Sequence, residues 1–338
     1  MGEAKKPQDD SGEGRILDER ETTALVLADL AYEDSGTIEA YGSVGGFVYD
    51  TVLNEIINET LQESGIDPSQ VSFQASIFSN PDTGEAAIAY TGTNPTLFRP
   101  FQPLEDIQQD VNFVTGNYVA AGKGITQQAV AVEYTAVALS VLKDREISLD
   151  KITATGHSLG GGNAQLGAAA FGLDGAIWNA PGVSKISENP EYQAHIDRLV
   201  REDYPELIDY IKPGSGELIS YREVGDLVSD TTGPALTGRH VGVVETHELD
   251  NRPGGAATSN HVLQTAGLVL KIGGLAPAGA VLAGQLYLGM GPNHKLGVFY
   301  DSVDPSARAV IEARRAVALG EVRVIVDSGI ESPQPTLY

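Results

Sequence analysis

The residues best suited to chemistry stand together as Gly156-His157-Ser158-Leu159-Gly160, a G-x-S-x-G pattern. On a sharp turn from a strand into a helix, such a serine exposes its hydroxyl while the helix N-terminus supplies amide donors and positive potential. The glycines on both sides allow the strand and the helix to pack closely around the turn. We therefore predict that Ser158 is a nucleophile. The alternative is a glycine-rich turn whose serine only caps the helix.

A nucleophilic serine requires a base and a carboxylate that orients the base. In folds with this turn, the carboxylate follows the serine along the chain and the histidine follows the carboxylate. Asp226 ends a strand-like segment, and open α/β sheets place their sites at the carboxyl ends of strands. We predict Asp226 as the orienting carboxylate, with Asp230 as a weaker alternative. A purely local Asx turn is the competing role for either residue.

Five histidines are candidates for the base or lie beside the predicted site. His157 adjoins the serine, so its side chain should point away from the nucleophile, and we predict a structural role for it. His240 and His247 lie in a predicted strand. His294 begins a short amphipathic stretch at a predicted boundary between a loop and a helix, where a base can be held without burial. His261 remains its rival.

The elements around the serine indicate how it is positioned. Strand-like residues 151–157 precede it, small residues suited to a closely packed helix cover 158–172, and another strand-like run covers 175–182. Strand, helix and strand at this spacing indicate a parallel α/β sheet. The other predicted strands cover 71–79 and 85–93, joined as a hairpin, then 217–226 and 240–249.

Helices are predicted from residue 21, over 46–64, over 123–143, and after Asp304, where Pro305 gives a typical helix start. The apolar stripe of the second helix would consist of Val48, Val52, Leu53, Ile56, Ile57 and Leu61.

Composition limits the classes of function. The chain has 338 residues, of which 41% are hydrophobic, so it can bury a core. With 22 Lys and Arg against 46 Asp and Glu, the net charge of -24 argues against nucleic acid as a partner. The chain has no cysteine, which excludes disulfides, cysteine nucleophiles and Cys-ligated zinc. The first residues contain no apolar core of a signal peptide, and the localisation stays unknown.

The chain is predicted to form one domain. Residues 1–18 are polar and charged, which is typical of a disordered tail, and residues 19–338 would form the domain. Residues 262–292 are unusually apolar, with Lys271 as their single charge, and are interrupted by glycine and proline. We expect either a helical hairpin that covers an acyl pocket or enters a lipid interface, or a buried helix pair.

Motifs spread over residues 24 to 300 resemble those of the lipase class 3 family, the fungal-type lipases and related phospholipases A1. AYTGT at 89–93 is similar to its A-F-R-G-T/S strand end, and ATGHSLGGG to its T-G-H-S-L-G-G turn. The remaining matches are DIQQDVNFV to D-W-x-x-D-L, WNAPGV to F-G-x-P-R-V, GDLVSD to D-x-V-P, HVGVVE to H-x-G-x-E and NHKLGVFYD to D-H-x-x-Y.

This resemblance implies an α/β-hydrolase fold, with a mostly parallel central sheet flanked by helices. It implies a catalytic triad of Ser158, Asp226 and His294, while His240 takes the place of a histidine that is not the base. The oxyanion hole would use the backbone N–H groups of Leu159 and Thr93. Residues 94–104, rich in Phe and Pro, would be the lid.

The sequence departs from the family at two of these motifs. Thr91 replaces the family's arginine, so any ion pair made by that arginine is missing. Ser229 and Asp230 replace the usual proline region after the carboxylate.

The function that this resemblance implies is hydrolysis of carboxylic esters of lipids, by a triacylglycerol lipase or a phospholipase A1. The reaction would need no metal and no cofactor, and the protein would contact a lipid interface transiently. The negative charge favours neutral or zwitterionic lipids as substrates. The alternatives are a hydrolase of non-lipid esters or thioesters, and a catalytically silent lipase-like binding protein.

Overall fold

The computed structural model describes residues 15–92, 112–113, 115–122, 124–226, 228–229, 237–249 and 295–321. The strands are β1 (Val48–Tyr49), β2 (Ala75–Asn80), β3 (Glu85–Tyr90), β4 (Ile152–His157), β5 (Asp174–Trp178), β6 (Leu218–Glu223) and β7 (Val243–Leu249). The α-helices are α1 (Glu19–Leu30), α2 (Ser35–Tyr41), α3 (Thr51–Glu63), α4 (Gln127–Asp144), α5 (Leu159–Phe171), α6 (Ser184–Ser187), α7 (Pro190–Arg198) and α8 (Pro305–Ala318). Shorter 3₁₀ turns cover Pro68–Val71, Leu149–Lys151, Pro205–Leu207 and Leu296–Ser302, and one π turn covers Leu199–Asp203.

The seven strands of the described residues form one sheet in the order β1-β2-β3-β4-β5-β6-β7. β1, β2 and β3 are antiparallel neighbours, whereas β3 to β7 are all parallel. The register aligns Tyr90 of β3 with Gly156 of β4, and Trp178 of β5 with both His157 and Tyr221. The carboxyl ends of the parallel strands therefore meet at one edge, with β4 near the middle.

Helices cover the sheet on both faces. One core cluster joins α3, α4 and α5 to the sheet, and the other joins α1, α2, the 296–302 turn and α8 to it. Successive side chains of a strand point to opposite faces of the sheet, so each strand contributes to both clusters. In β3, Ile88 and Tyr90 belong to the first cluster, and Ala87 and Ala89 belong to the second. A mostly parallel sheet buried on both faces in this way is the α/β-hydrolase architecture that the resemblance implies.

Most predicted elements are confirmed. The hairpin of β2 and β3, the parallel strand–helix–strand unit of β4, α5 and β5, and helix α4 lie where the sequence places them. The last strand, β7, lies at the sheet edge of the described residues. Asp304 caps α8 by accepting hydrogen bonds from the backbone N–H groups of Ser306 and Ala307.

The helix predicted over 46–64 is wrong in its first part. Val48 belongs to β1, and the helix begins only at Thr51, after the Asp50 side chain accepts a hydrogen bond from the Leu53 N–H. Of the predicted stripe, Leu53, Ile57 and Leu61 are buried. The other three residues, Val48, Val52 and Ile56, are exposed.

The tail predicted over residues 1–18 extends too far into the chain. Leu17 is buried and donates its backbone N–H to the Ser302 carbonyl at 2.7 Å. Asp18 forms a capping box with Glu21 at the start of α1. Residues 15–18 are therefore part of the fold. Residues 1–14, the lid candidate at 94–104 and the apolar insert at 262–292 lie outside the described residues.

Candidate active site

Ser158 lies between the last residue of β4 and the first residue of α5. Its backbone has φ 56° and ψ -127°, a conformation that L-residues rarely adopt and that costs of order 1–3 kcal/mol. The Ser158 N–H donates to the Trp178 carbonyl at 2.9 Å, which fastens the turn to β5. Among the described residues, the serine side chain makes no capping hydrogen bond to α5. This disfavours the alternative of a serine that serves only as a cap.

Glycines allow the backbone segments around Ser158 to approach each other. A Cβ on Gly156 would lie 2.5 Å from the Gly160 carbonyl oxygen, and one on Gly160 would lie 2.2 Å from the Tyr90 carbonyl oxygen. Real Cβ atoms essentially never approach other atoms this closely. The first turn of α5 therefore touches both β4 and the end of β3, and the prediction that small residues must surround the serine is confirmed.

The two predicted oxyanion donors belong to these touching segments. Leu159, the first residue of α5, is buried directly after Ser158. A Cβ on Gly160 would also lie 2.8 Å from the Gly92 nitrogen, so the end of β3 is packed against the helix start. Thr93, which would supply the second donor, lies outside the described residues.

Thr91, which stands where the A-F-R-G-T/S motif has arginine, is tied to the backbone of the segment after α1. Its side chain is buried and its hydroxyl donates a hydrogen bond to the Ala31 carbonyl. Its backbone N–H donates to the Gln74 carbonyl at 3.0 Å. A neutral hydroxyl therefore fixes this strand end.

Asp226 lies three residues beyond β6 and is almost completely buried. One of its carboxylate oxygens, Oδ2, accepts hydrogen bonds from the Ser229 N–H at 2.9 Å and the Ser229 hydroxyl at 2.6 Å. The local turn considered as an alternative role is thus present, and it also orients the carboxylate. Ser229, which departs from the D-x-V-P motif, supplies both donors. Asp230 lies outside the described residues.

Asn179 connects the serine turn to the Asp226 loop and was missed by sequence reasoning. It follows β5 directly, with φ 43°, a left-handed conformation that asparagine tolerates better than most residues. Its Oδ1 accepts a hydrogen bond from the Glu223 N–H at 2.8 Å and lies 3.3 Å from the Ser229 hydroxyl oxygen. Its position after a strand in WNAPG was the only signal available.

The predicted structural role of His157 agrees with its contacts. The Tyr32 hydroxyl lies 2.9 Å from its Nδ1, and the imidazole is buried.

His240 lies before β7, where its Nδ1 is 3.1 Å from the Gln165 side-chain oxygen. Burial, followed by the nearby charge of Arg222, lowers the pKa of His240 to about 4. A base that works near neutral pH needs a higher pKa, so this environment disfavours His240 as the base.

His247 lies on β7 and its ring stacks on Tyr221, with ring centroids 5.3 Å apart. Its Nε2 is 3.2 Å from a carboxylate oxygen of Glu245. His261 and His294, the two remaining candidates, lie outside the described residues.

His195, the sixth histidine, belongs to a buried cluster that the sequence did not indicate. Its Nε2 lies 2.9 Å from Glu133 of α4, and its Nδ1 lies 2.7 Å from the Tyr118 hydroxyl. Arg198 also contacts Glu133, at 3.4 Å. The partners come from segments more than 60 residues apart in sequence, so no local pattern could reveal the cluster.

A cavity of about 610 Å³ lies at the opposite edge of the sheet, beside the amino ends of the parallel strands. Carboxylates line it, including Glu85, Asp174 and Glu217. It is therefore distinct from the Ser158 site.

Among the described residues, no group of three or more His, Asp or Glu could hold a metal ion. None of the described helices has both the length and the apolar character needed to cross a membrane.

Comparisons with known proteins indicate the family of the chain. The family model of the Tle-like phospholipase domain, described as phospholipase-like, matches residues 23–257. No curated protein sequence matches the chain. The solved structure of the Lip2 lipase from Yarrowia lipolytica is 16% identical, covers 70% of this chain and 82% of its own, and has a TM-score of 0.33.

A second solved structure, the extracellular lipase LipA from Serratia marcescens, is 15% identical with a TM-score of 0.33. The match covers 85% of this chain and 52% of LipA. Similarities this distant do not transfer a function.

Proposed function

This chain belongs to the family of Tle-like phospholipase domains, and from this we propose that it is a serine hydrolase that cleaves carboxylic esters of lipids. The observation that carries the proposal is the geometry of Ser158. A strained serine between a parallel strand and a helix, with a backbone N–H of the helix beside it, is the arrangement of a nucleophile in ester hydrolysis.

Asp226 is the orienting carboxylate in this proposal. It lies beyond β6, and Ser158 lies beyond β4, so both are at the carboxyl edge with only β5 between their strands. Asn179 holds the Asp226 loop, because its backbone N–H donates to the Tyr221 carbonyl and its Oδ1 accepts the Glu223 N–H. The residue before it, Trp178, accepts the Ser158 N–H, so the turn after β5 contacts both loops. The carboxylate is thereby fixed by a network that includes the turn after β5.

His294 is the base in this proposal, with His261 as the alternative. The residues that follow His294 are anchored near the serine turn, since Phe299 packs on Trp178 with ring centroids 5.2 Å apart. Trp178 is the residue whose carbonyl accepts the Ser158 N–H. A histidine at position 294 therefore precedes a segment fixed to this part of the sheet, whereas His261 lies more than 30 residues away from it in sequence.

The proposed reaction follows the serine hydrolase scheme. The Ser158 oxygen forms a bond to the ester carbonyl carbon while His294 takes the hydroxyl proton. The backbone N–H groups of Leu159 and Thr93 stabilise the resulting oxyanion. The intermediate expels the alcohol part of the lipid, which receives the proton from His294, and leaves an acyl-enzyme. Water, deprotonated by His294, then releases the fatty acid and restores the serine.

The substrate class proposed first is a zwitterionic phospholipid. The family is described as phospholipase-like, and the net charge of -24 repels anionic surfaces. Kinship with the lipase class 3 family, and with its phospholipases A1, is the narrower proposal. It is supported by the match of the T-G-H-S-L-G-G turn and by the order of the motifs along the chain.

The test is release of fatty acid from phosphatidylcholine vesicles, from phosphatidylglycerol vesicles and from a triacylglycerol emulsion. We expect the wild-type protein to hydrolyse phosphatidylcholine fastest, and Ser158→Ala to lose this activity. Hydrolysis of only short, water-soluble esters would contradict the lipid substrate. Equal rates for wild type and Ser158→Ala would contradict the assignment of the nucleophile.

A further inference from the structure

The turn that follows α1 contacts both backbone segments that would carry the oxyanion donors. We propose that Tyr32, in this turn, is a positioning residue that fixes the serine turn relative to the end of β3. The inference rests on the proposed function and extends it to a residue that neither the sequence pattern nor the comparisons indicate.

The turn itself is held firmly against the β2–β3 hairpin. The Ala31 carbonyl accepts the hydroxyl of Thr91, and the Glu33 carbonyl accepts the side-chain amide of Gln74 at 3.3 Å. Tyr32 and Glu33 also donate their backbone N–H groups to the last turn of α1. The backbone on both sides of Tyr32 is thus tied to the strand end that leads to Thr93.

The side chain of Tyr32 reaches in the other direction, to the serine turn. Its hydroxyl lies 2.9 Å from Nδ1 of His157 and 3.4 Å from the His157 carbonyl oxygen. His157 is the residue directly before the nucleophile. A single tyrosine therefore connects the hairpin to the residue that positions Ser158.

Gly92 shows how closely the three groups approach one another. A Cβ on Gly92 would lie 2.2 Å from the Tyr32 hydroxyl oxygen and 2.5 Å from the His157 carbonyl oxygen. The hydroxyl therefore lies at the contact between the end of β3 and the serine turn. The residue after Gly92 is Thr93, and the second residue after His157 is Leu159.

The two proposed donors of the oxyanion hole thus belong to different segments. The Tyr32 contact joins these segments, together with the pairing of Tyr90 with Gly156 and the packing of Gly160 on the end of β3. Oxyanion donors act only when they lie within hydrogen-bond distance of the oxygen that becomes charged. Loss of the Tyr32 hydroxyl would leave the ring in place but remove the side-chain hydrogen bond to His157 at the contact between the segments. Because small displacements of catalytic groups reduce the rate of the chemical step more than substrate affinity, kcat should fall while KM changes little.

The test compares Tyr32→Phe with Tyr192→Phe as the matched control. Tyr192 is also buried and its hydroxyl donates to a backbone carbonyl, that of Leu166 at 2.8 Å, in the middle of α5. We expect Tyr32→Phe to lower kcat by about tenfold, equivalent to one hydrogen bond, with KM within about twofold. Both variants should lower the melting temperature by a similar amount, since each loses one buried hydrogen bond. Tyr192→Phe, however, should keep kcat within about twofold of the wild type.

A double-mutant cycle with His157→Ala shows whether Tyr32 acts through His157. If it does, His157→Ala lowers kcat by itself, and adding Tyr32→Phe lowers it little further. Wild-type kcat in Tyr32→Phe, equal kcat losses in both tyrosine variants, or fully additive losses in the cycle would overturn the inference. A wild-type protein that neither hydrolyses esters nor reacts with a fluorophosphonate would instead refute the proposed function on which the inference depends.

Discussion

Gly160→Ala tests whether the contact between β3 and the serine helix sets the catalytic geometry. The added methyl carbon would lie 2.2 Å from the Tyr90 carbonyl oxygen and 2.7 Å from the Thr91 carbonyl carbon. An ordinary contact between carbon and a carbonyl oxygen is about 3.3 Å or longer. Both neighbours are backbone atoms, so the strand end and the helix must separate by about 1 Å.

This displacement has two measurable consequences. Overpacking of this kind costs about 1–3 kcal/mol of the free energy of unfolding, of which a helical alanine returns at most about 1 kcal/mol. A shift of about 1 Å in the oxyanion donors can lower the rate by about a hundredfold. We therefore expect a net destabilisation of up to about 2 kcal/mol and a fall in kcat of about a hundredfold.

The assay combines urea denaturation with the kinetics of ester hydrolysis. Gly297→Ala is the matched control, because a Cβ at Gly297 meets no atom within 4 Å. The control should stay within about 1 kcal/mol of the wild type and keep its kcat. Wild-type kcat in a folded Gly160→Ala protein would refute the reasoning, because the donors would then not depend on this contact.

Three further predictions concern the remaining polar groups of the site. Asp226→Asn should lower kcat by about 10³- to 10⁴-fold without unfolding the protein, as measured by ester hydrolysis and circular dichroism. His294→Ala should abolish activity and His261→Ala should retain it, and the reverse pattern would transfer the role of base to His261. The pKa of His240 is about 4 in the folded protein and lies near 6.5 when unfolded. The unfolded state therefore binds more protons between these values, and stability is lost as the pH falls from about 6.5 to 4. His240→Gln should remove up to about 3 kcal/mol of this pH-dependent loss of stability. The measurement is urea denaturation at several pH values. A pH dependence equal to that of the wild type would contradict the burial of His240.

Local patterns predicted the elements that position the serine. The turn at Ser158 is specified by the G-x-S-x-G spacing, the strand-like residues before it and the small residues after it. Its prediction therefore requires few contacts with distant parts of the chain. Asp226 could be proposed because the carboxylate follows a strand. These features depend on neighbours within a few residues, which is the range over which a sequence pattern can be interpreted.

Contacts between distant segments could not be predicted in the same way. Val48 continues the apolar period of α3, but it pairs with Ser79 in the sheet and so belongs to β1. Tyr32 carries no local signal for its contact with His157, 125 residues later. Asn179 lies 50 residues before Ser229 in sequence, and only the fold brings it beside the Asp226 loop.

The most direct test of the central claim is covalent labelling with a fluorophosphonate, followed by mass spectrometry of the labelled peptides. The proposal predicts a single adduct on Ser158 in the wild-type protein, and no adduct in Ser158→Ala. Labelling in the presence of detergent ensures access to the serine. No adduct under these conditions, or an adduct on another serine, would contradict the assignment of Ser158 as an activated nucleophile.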